Sequence, residues 1–409
     1  SEERIAFSRE LIRKGTTFQN MSVWVGYEKA LKDFYDGTIN YEQFKHDVNY
    51  FEQVNTDWFG ILLHDAFSHN HALSISGGSE NVRYYASVGY QDQVGTLRGE
   101  SNKRYTANVR VNASYKRFSL AFGMSGRVSE REYTPSDVGL LNYAYNTSRA
   151  VPARGEDGEL WYYDRPRKGD WLGTYKFNII NERDNSSYDI NGEGFTFNAN
   201  VNYRITRGLN LGAVLSYSSD NTTTETSYGE KSFYITNLRK SEYGVDAPGD
   251  SQCPYGGELK SDVTKNKSYT ARLQLDYKRA LDAEENHSVQ AALGGELSST
   301  HYTGLSKTFR GYLPDRGKLI TPVSRNDFPD YVDWLTMNTN ALGSLKDQLT
   351  NRVSGYFSAS YIYKSLYVVN FNARIDASNK FGKKSNDRLL PIWSVSGRWN
   401  MSETLLPEV

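Results

Sequence analysis

The stretch Tyr105-Thr106-Ala107-Asn108-Val109-Arg110-Val111-Asn112-Ala113-Ser114-Tyr115 decides the fold. Apolar or aromatic residues occupy every odd position in it, and polar or charged residues occupy every even position. Because successive side chains of a β-strand point to opposite faces, this alternation predicts a strand with one apolar and one polar face. A helix would instead repeat its apolar residues at a spacing of about 3.6.

The same period of two recurs along most of the chain, for example over 195–205 and 269–277. Several of the segments are longer than the ~5–6 residues of a typical soluble strand. They match the ~9–11 residues that a tilted strand needs to cross the hydrocarbon of a membrane. The pattern predicts about eleven strands, near 71–77, 83–91, 104–116, 117–129, 195–206, 209–220, 267–278, 288–299, 352–364, 366–377 and 391–401.

The connections between these strands alternate between short and long. Turns such as Lys116–Arg117 are minimal, whereas the long connections fall at 130–194, 220–267 and 300–351. A membrane β-barrel has short turns at one rim and long loops at the other, and aromatic residues flank its lipid-facing band. We therefore predict an all-β fold in which 71–409 is a segment of a transmembrane antiparallel β-barrel. A soluble antiparallel sheet is the alternative.

The first seventy residues carry helical signals instead. Asn40 followed by Gln43 is a candidate capping box. Aromatic and aliphatic residues precede it at helical spacing, at Trp24, Tyr27, Leu31 and Phe34. Counting strand directions back from the turns places this segment beside the long loops. We predict that 1–70 is a helical and loop insert on the extracellular side, packed over the barrel mouth.

Composition and motifs exclude several classes of protein. The 409 residues contain 48 Lys and Arg against 48 Asp and Glu, which argues against a nucleic-acid binder recognised by charge. No apolar run approaches the ~18 residues of a membrane helix. The sequence has no His-Glu-x-x-His, phosphate-loop or Gly-x-Ser-x-Gly motif, so we expect no enzyme. The single cysteine, Cys253, has no partnered base in sequence and is expected to be inert.

Three groups of residues are candidate metal ligands. One is Asp327, Asp330 and Asp333, which could supply oxygens to calcium, with a solvated acidic loop as the alternative. His64, His69 and His71 lie close in sequence but lack the spacing of a zinc site. A weak calcium candidate flanks Gly192, formed by Asp189, Asn191 and Glu193. A solvated turn is the alternative there, because the residues do not match a full calcium loop. No cofactor is expected beyond a structural calcium ion.

The longest connection carries a group of aromatic and basic residues. Exposed rings stack on sugars or on peptide side chains, and cations pair with carboxylates. The alternative is that the rings hold the loop to its neighbours. The candidate substrate contacts are Trp161, Tyr162, Tyr163, Arg165, Arg167, Trp171 and Tyr175. Arg149, Arg154 and Lys168 add positive charge, which favours an acidic cargo unless the charge is simply a solvated surface.

Several sequence blocks resemble one known family, the SusC/RagA-like TonB-dependent transporters of the Gram-negative outer membrane. The blocks follow the family's order over nearly the whole chain. They are Asn55-Thr56-Asp57-Trp58, Ser74-Ile75-Ser76-Gly77-Gly78-Ser79-Glu80, Tyr84-Tyr85-Ala86-Ser87-Val88-Gly89-Tyr90, the run Arg374, Asp376, Ser378, Phe381 and Gly382, and the strand from Pro391 through Ser394 and Trp399 to Ser402.

The resemblance implies a barrel of ~22 strands with a plugged lumen. The predicted strands supply about half of that number, and nothing in the sequence resembles the plug domain or the TonB box. Residues 405–409 do not resemble a terminal barrel strand. We therefore expect the chain to be an interior part of a longer protein.

The function implied is active import of oligosaccharides or peptides across the bacterial outer membrane, with the long loops on the extracellular side. The implied partners are a SusD-like surface lipoprotein, TonB acting through an N-terminal portion, and outer-membrane lipid; no nucleic acid is expected. The residues leave glycan and peptide open as cargo. Two alternatives remain, a plugless porin-like or adhesin-like barrel and a soluble carbohydrate-binding β-protein using the 130–194 loop.

Overall fold

One antiparallel sheet of twelve strands dominates the computed structural model, which describes residues 2–15, 25–168, 173–382 and 391–401. Eleven of its strands follow one another in chain order: β1 (Ser68–Gly78), β2 (Val82–Val94), β3 (Ser101–Tyr115), β4 (Phe118–Tyr133), β7 (Ser186–Thr206), β8 (Leu209–Tyr228), β9 (Gly257–Ala280), β10 (His287–Leu313), β12 (Ser344–Tyr363), β13 (Tyr367–Ser378) and β14 (Ile392–Trp399). The twelfth, β11 (Leu319–Ile320), pairs with β10. A separate hairpin joins β5 (Tyr163–Pro166) to β6 (Thr174–Phe177).

The helices lie before the sheet or within its long connections. No described helix is long and apolar enough to cross a membrane. Their bounds are α1 (Glu2–Arg13), α2 (Gly26–Tyr35), α3 (Tyr41–Gln53), α4 (Trp58–Leu62), α5 (Leu140–Asn146), α6 (Ile179–Asp184), α7 (Phe233–Arg239), α8 (Pro329–Met337) and α9 (Thr339–Leu342), with a 3₁₀ turn at Pro314–Arg316.

All eleven strands predicted from the sequence are present, but most are longer than predicted. Strand β9 has 24 residues and β10 has 27. The predicted loop limits at 130–194, 220–267 and 300–351 are therefore wrong, because the strands continue to leave connections of 134–185, 229–256 and 314–343. In these extensions polar residues face each other, as Asp189 faces Glu225. Backbone hydrogen bonds maintain the pairing there, so the apolar alternation stops before the strand does.

The two faces of the sheet differ in polarity. Residues paired across neighbouring antiparallel strands share a face. Leu275 is paired with Leu211 on one side and with Leu293 on the other. On the opposite face, Gln274 is paired with Gly212 and Gly294. The apolar face is open, since Leu293 is 58% exposed, and an exposed apolar surface of this extent indicates a non-aqueous or protein contact.

The short connections lie together at one end of the sheet. Lys364 and Ser365 both have positive φ, at 48° and 58°, and the Leu366 amide donates to the Tyr363 carbonyl at 2.9 Å, as in a type I′ turn. Gly208, at φ 88°, closes the turn between β7 and β8. A Cβ at this glycine would lie 2.2 Å from the carbonyl oxygen of Lys278, so the turn requires glycine.

The segment before the sheet is helical, as the sequence predicts. The capping box is confirmed, because the Gln43 amide donates to Asn40 Oδ1 at 2.9 Å and the Asn40 amide donates to Gln43 Oε1 at 3.0 Å. The predicted boundary at residue 70 is wrong by a few residues, since Ser68 already pairs with Gln93 in the sheet. Trp24, Ser402 and residues 405–409, which also entered the sequence predictions, lie outside the described residues.

Candidate functional site

A layer of helices and connections covers the end of the sheet that carries the long connections. We call it the loop layer; it contains the helices before β1 and the connections 134–185, 229–256 and 314–343. Trp58 and Leu62 of α4 are buried there against α5 and α6, at 2% and 0% exposure. Trp58 Nε1 donates to the carbonyl of Ser148 at 3.1 Å. Leu63 also forms a β-bridge with Leu97, which lies in the connection between β2 and β3. The helical segment is thus held against two connections of the sheet.

Three of the candidate substrate contacts are part of the packing of this layer. The Trp161 ring lies 6.3 Å from the Phe51 ring and packs on two apolar clusters, one of α1–α3 and one around α4–α6. The Tyr163 hydroxyl donates to Tyr143 Oη at 3.4 Å, and Tyr175 is only 7% exposed. These contacts match the alternative to cargo binding, in which the rings hold the loop to its neighbours.

The remaining candidates are more open. Arg165 places its guanidinium 4.2 Å from the centre of the Phe177 ring, and Arg167 donates to Tyr175 Oη at 3.4 Å. Tyr162 is 40% exposed and its hydroxyl donates to Asn181 at 3.3 Å. Trp171 lies outside the described residues. Tyr162 is therefore the described ring of this group that is best placed to meet a ligand.

The calcium candidates lie on a strand. Asp189, Asn191 and Glu193 occupy alternate positions of β7, on the same side as the apolar band but beyond its end. The sequence predicts a loop or a solvated turn at these residues. Both predictions are wrong, because pairing with β8 continues through them. Among the described residues, no group of three or more His, Cys, Asp or Glu side chains is placed to hold a metal ion.

A buried polar network under the 229–256 connection is absent from the sequence predictions. Glu258, 1% exposed, accepts hydrogen bonds from Arg310 Nε and from the Tyr234 hydroxyl, each at 2.8 Å. The Arg310 guanidinium lies 3.9 Å from the centre of the Trp334 ring. Glu258 and Arg310 are 52 residues apart, so no local pattern indicates the pair.

Two further buried groups sit in the same layer. Burial raises the pKa of the Cys253 thiol to about 11, which keeps it protonated and unreactive at neutral pH. Burial also raises the pKa of Glu182 to about 7, against hydrogen bonds that lower it. Glu182 Oε1 accepts from the Phe233 amide at 2.7 Å, so this carboxyl joins the 134–185 and 229–256 connections.

The polar face of the sheet is the other candidate surface. It carries amides and hydroxyls together with charged residues, and two ion pairs form on its later strands. Arg374 on β13 bonds Asp376 at 2.8 Å, and Arg272 on β9 pairs with Glu296 on β10. A surface of this kind can hydrogen-bond sugars or peptides without covalent chemistry.

The chain is similar in sequence to proteins named as TonB-dependent receptors. It is 23% identical over 359 residues to TonB-dependent receptor P26 of Formosa agariphila, covering 85% of this chain and 32% of that protein. It is 31% identical over 86 residues to TonB-dependent receptor SusC of Bacteroides thetaiotaomicron, covering 21% of this chain and 9% of that protein. The chain thus spans about a third of the length of the receptor P26. No family model matches the chain.

The fold is similar to solved structures of RagAB. The RagAB peptide importer in its open-open state superposes with a TM-score of 0.60 at 19% identity, covering 86% of this chain and 36% of that chain. The RagAB peptide transporter gives a TM-score of 0.59, covering 88% of this chain and 37% of that chain. The predicted fold class, a segment of an antiparallel membrane β-barrel, is confirmed. The chain is thus similar in sequence to TonB-dependent receptors and similar in fold to RagAB.

Proposed function

We propose that this chain forms part of the wall and outer layer of a TonB-dependent importer in the bacterial outer membrane. The observation that carries the proposal is the two-faced sheet, apolar on one side and polar on the other through eleven consecutive strands. A barrel wall between lipid and a wet lumen requires that division.

The height of the apolar face supports a lipid contact. On β9 the face runs from Tyr277 through three aliphatic residues to Tyr269, and then changes to Lys267 and Lys265. At ~3.4 Å per residue and a tilt of ~40°, this stretch rises about 21 Å. That is close to the ~25 Å apolar band of outer-membrane barrels, and tyrosines bound it at both ends as interfacial girdles do.

The polar face would line the path of the cargo, and the loop layer would meet it from the extracellular side. We propose oligosaccharides or peptides as cargo, taken up with a SusD-like surface lipoprotein and with energy from TonB. The structures named as RagAB peptide importer and transporter favour peptides as the cargo. The relative named SusC supports a SusD-like lipoprotein as the partner. Tyr162, Arg165 and Arg167, the more open members of the aromatic and basic group, are the proposed loop contacts.

Uptake by cells that produce the whole protein tests the proposal. Fluorescent peptides and oligosaccharides of similar mass would be supplied to cells with and without TonB, and to cells lacking the transporter. We expect uptake of at least one probe class only when both transporter and TonB are present, and co-purification of a lipoprotein. Uptake that is independent of TonB would instead indicate a porin-like barrel.

A further inference from the structure

Arginines and carboxylates lie on opposite faces of the first five strands in the large sheet, β1 to β4 and β7. The register fixes the face of each residue, because paired residues share a face. On the polar face these strands carry six arginines and no carboxylate: Arg83, Arg104, Arg110, Arg127, Arg131 and Arg204. Their carboxylates all lie on the opposite face: Asp92, Glu130, Glu132, Asp189 and Glu193.

One of these arginines reaches a carboxylate on a more distant strand. Arg127 on β4 bonds Asp220 on β8 at 2.9 Å, crossing β7 at Gly194. A Cβ at Gly194 would lie 2.6 Å from Arg127 Nε and 2.9 Å from Asp220 Oδ1, so the glycine leaves the space for this pair.

Arg204 donates to a backbone carbonyl at 3.4 Å, and the other four arginines of this face have no carboxylate partner either among the described residues. Arg83, Arg104, Arg110 and Arg131 form no ion pair with any carboxylate that the structure describes. Arg131 Nε is also buried without a hydrogen-bond partner among the described atoms. Like charges on a shared surface repel and raise the local potential, which attracts anions.

Two of the four line one pocket of about 400 Å³ on β2 and β3. Arg83 is paired with Asn112, and Arg110 is paired with Tyr85, so the two arginines are diagonal neighbours on one face. Diagonal neighbours lie about 7–8 Å apart, within reach of two long side chains that converge on one group. The amide of Asn108 also lines the pocket, which contains no acidic residue.

We propose that this pocket binds a carboxylate group of the cargo. The planar guanidinium matches the two oxygens of a carboxylate with two parallel N–H···O bonds, and the asparagine amides supply neutral donors beside it. Arg104 and Arg131 lie on the same face, between this pocket and the loop layer, and no carboxylate lies beside them on that face. They extend the positive potential that attracts anions along the sheet. The proposal rests on the proposed function in that the polar face is taken as the path of the cargo.

Binding of a matched pair of small probes tests the site. Glutarate and glutaramide have similar shapes, but only glutarate carries carboxylates. Calorimetry on the protein in neutral detergent, at low salt, should show that glutarate binds and that glutaramide binds at least about tenfold more weakly, since charge-assisted bonds are the stronger ones. Raising the salt to about 0.5 M should weaken glutarate binding further.

Variants assign the binding to the two arginines. The double variant Arg83→Gln with Arg110→Gln should lose glutarate binding by about tenfold or more, whereas Arg207→Gln, in the tight turn between β7 and β8, should bind normally. Equal melting temperatures of the three proteins would show that folding is unchanged. Equal binding of the two probes, or normal glutarate binding by the double variant, would overturn the proposal.

The same experiment separates this site from the proposed function. If glutarate binding depends on the arginines but no TonB-dependent uptake occurs, the anion site stands and the importer does not. If TonB-dependent uptake occurs while glutarate fails to bind, the importer stands and the carboxylate site is wrong.

Discussion

Glu258 and Arg310 form a buried ion pair in which the Arg310 Nε to Glu258 Oε2 distance is 2.8 Å and the side chains are 2% and 5% exposed. The pair joins the loop-side ends of β9 and β10. Removal of one member would leave the other charged and unpaired in the interior, which is costly. The ion pair therefore has a larger predicted role in stability than the exposed pairs of the chain.

We expect Arg310→Met to destabilise the loop layer by about 3–5 kcal/mol. The matched control is Lys318→Met, which removes an exposed pair with Glu225 and should cost about 0–1 kcal/mol. Hydrogen exchange of the amides at 257–260 measures the local opening free energy. Similar costs for the two variants would show that burial of the Glu258 pair has no special effect.

The stability of the loop layer should depend on pH through Glu182. The folded pKa, raised to about 7 by burial, exceeds the ordinary value of 4.5. The folded state therefore binds the proton more tightly, so stability is greatest below about pH 4.5, falls as pH rises to about 7, and then levels off. The shift corresponds to about 3 kcal/mol over that range.

Glu182→Gln tests this dependence because glutamine is neutral at every pH and has nearly the same shape. The variant should be more stable than the parent at pH 8, and its stability should change less between pH 5 and pH 8. Protease cleavage rates within 229–256 at the two pH values provide the measurement. A pH profile that is unchanged by the substitution would contradict the assignment to Glu182.

Packing around α6 should account for much of the cohesion of the loop layer. Ile179 is fully buried among the rings and aliphatic side chains of its cluster. We expect Ile179→Ala to cost about 2–5 kcal/mol, because it removes buried methyl groups and leaves a cavity. Leu141→Ala, at a residue 46% exposed, should change stability by about 0.5 kcal/mol or less. Thermal unfolding of both variants checks the difference, and equal losses would contradict the assigned core.

Local patterns account for what the sequence predicts well. The alternation at 105–115 and the Asn40 capping box both depend on residues a few positions apart, and both are present in the structure. The ends of β7 and β8 are mispredicted because backbone pairing extends past the apolar alternation, as at Asp189.

Contacts between distant segments account for what the sequence misses. The pairing of Glu258 with Arg310 needs β9 beside β10, and that of Arg127 with Asp220 needs the order of three strands. The aromatic group at 161–163 shows the same limit. Its residue types are equally suited to ligand contact and to packing, and only the neighbours of Trp161 and Tyr163 reveal their packing.

The measurement that tests the central claim most directly is the accessibility of single spin labels on β9. Cys253 is buried and should label little, so labels can be placed through Leu273→Cys and Gln274→Cys, on opposite faces of the strand. In lipid vesicles we predict that the label at 273 is relaxed mainly by oxygen, as in hydrocarbon, and the label at 274 mainly by a water-soluble nickel complex. Equal access of the nickel complex to both positions would contradict a membrane wall.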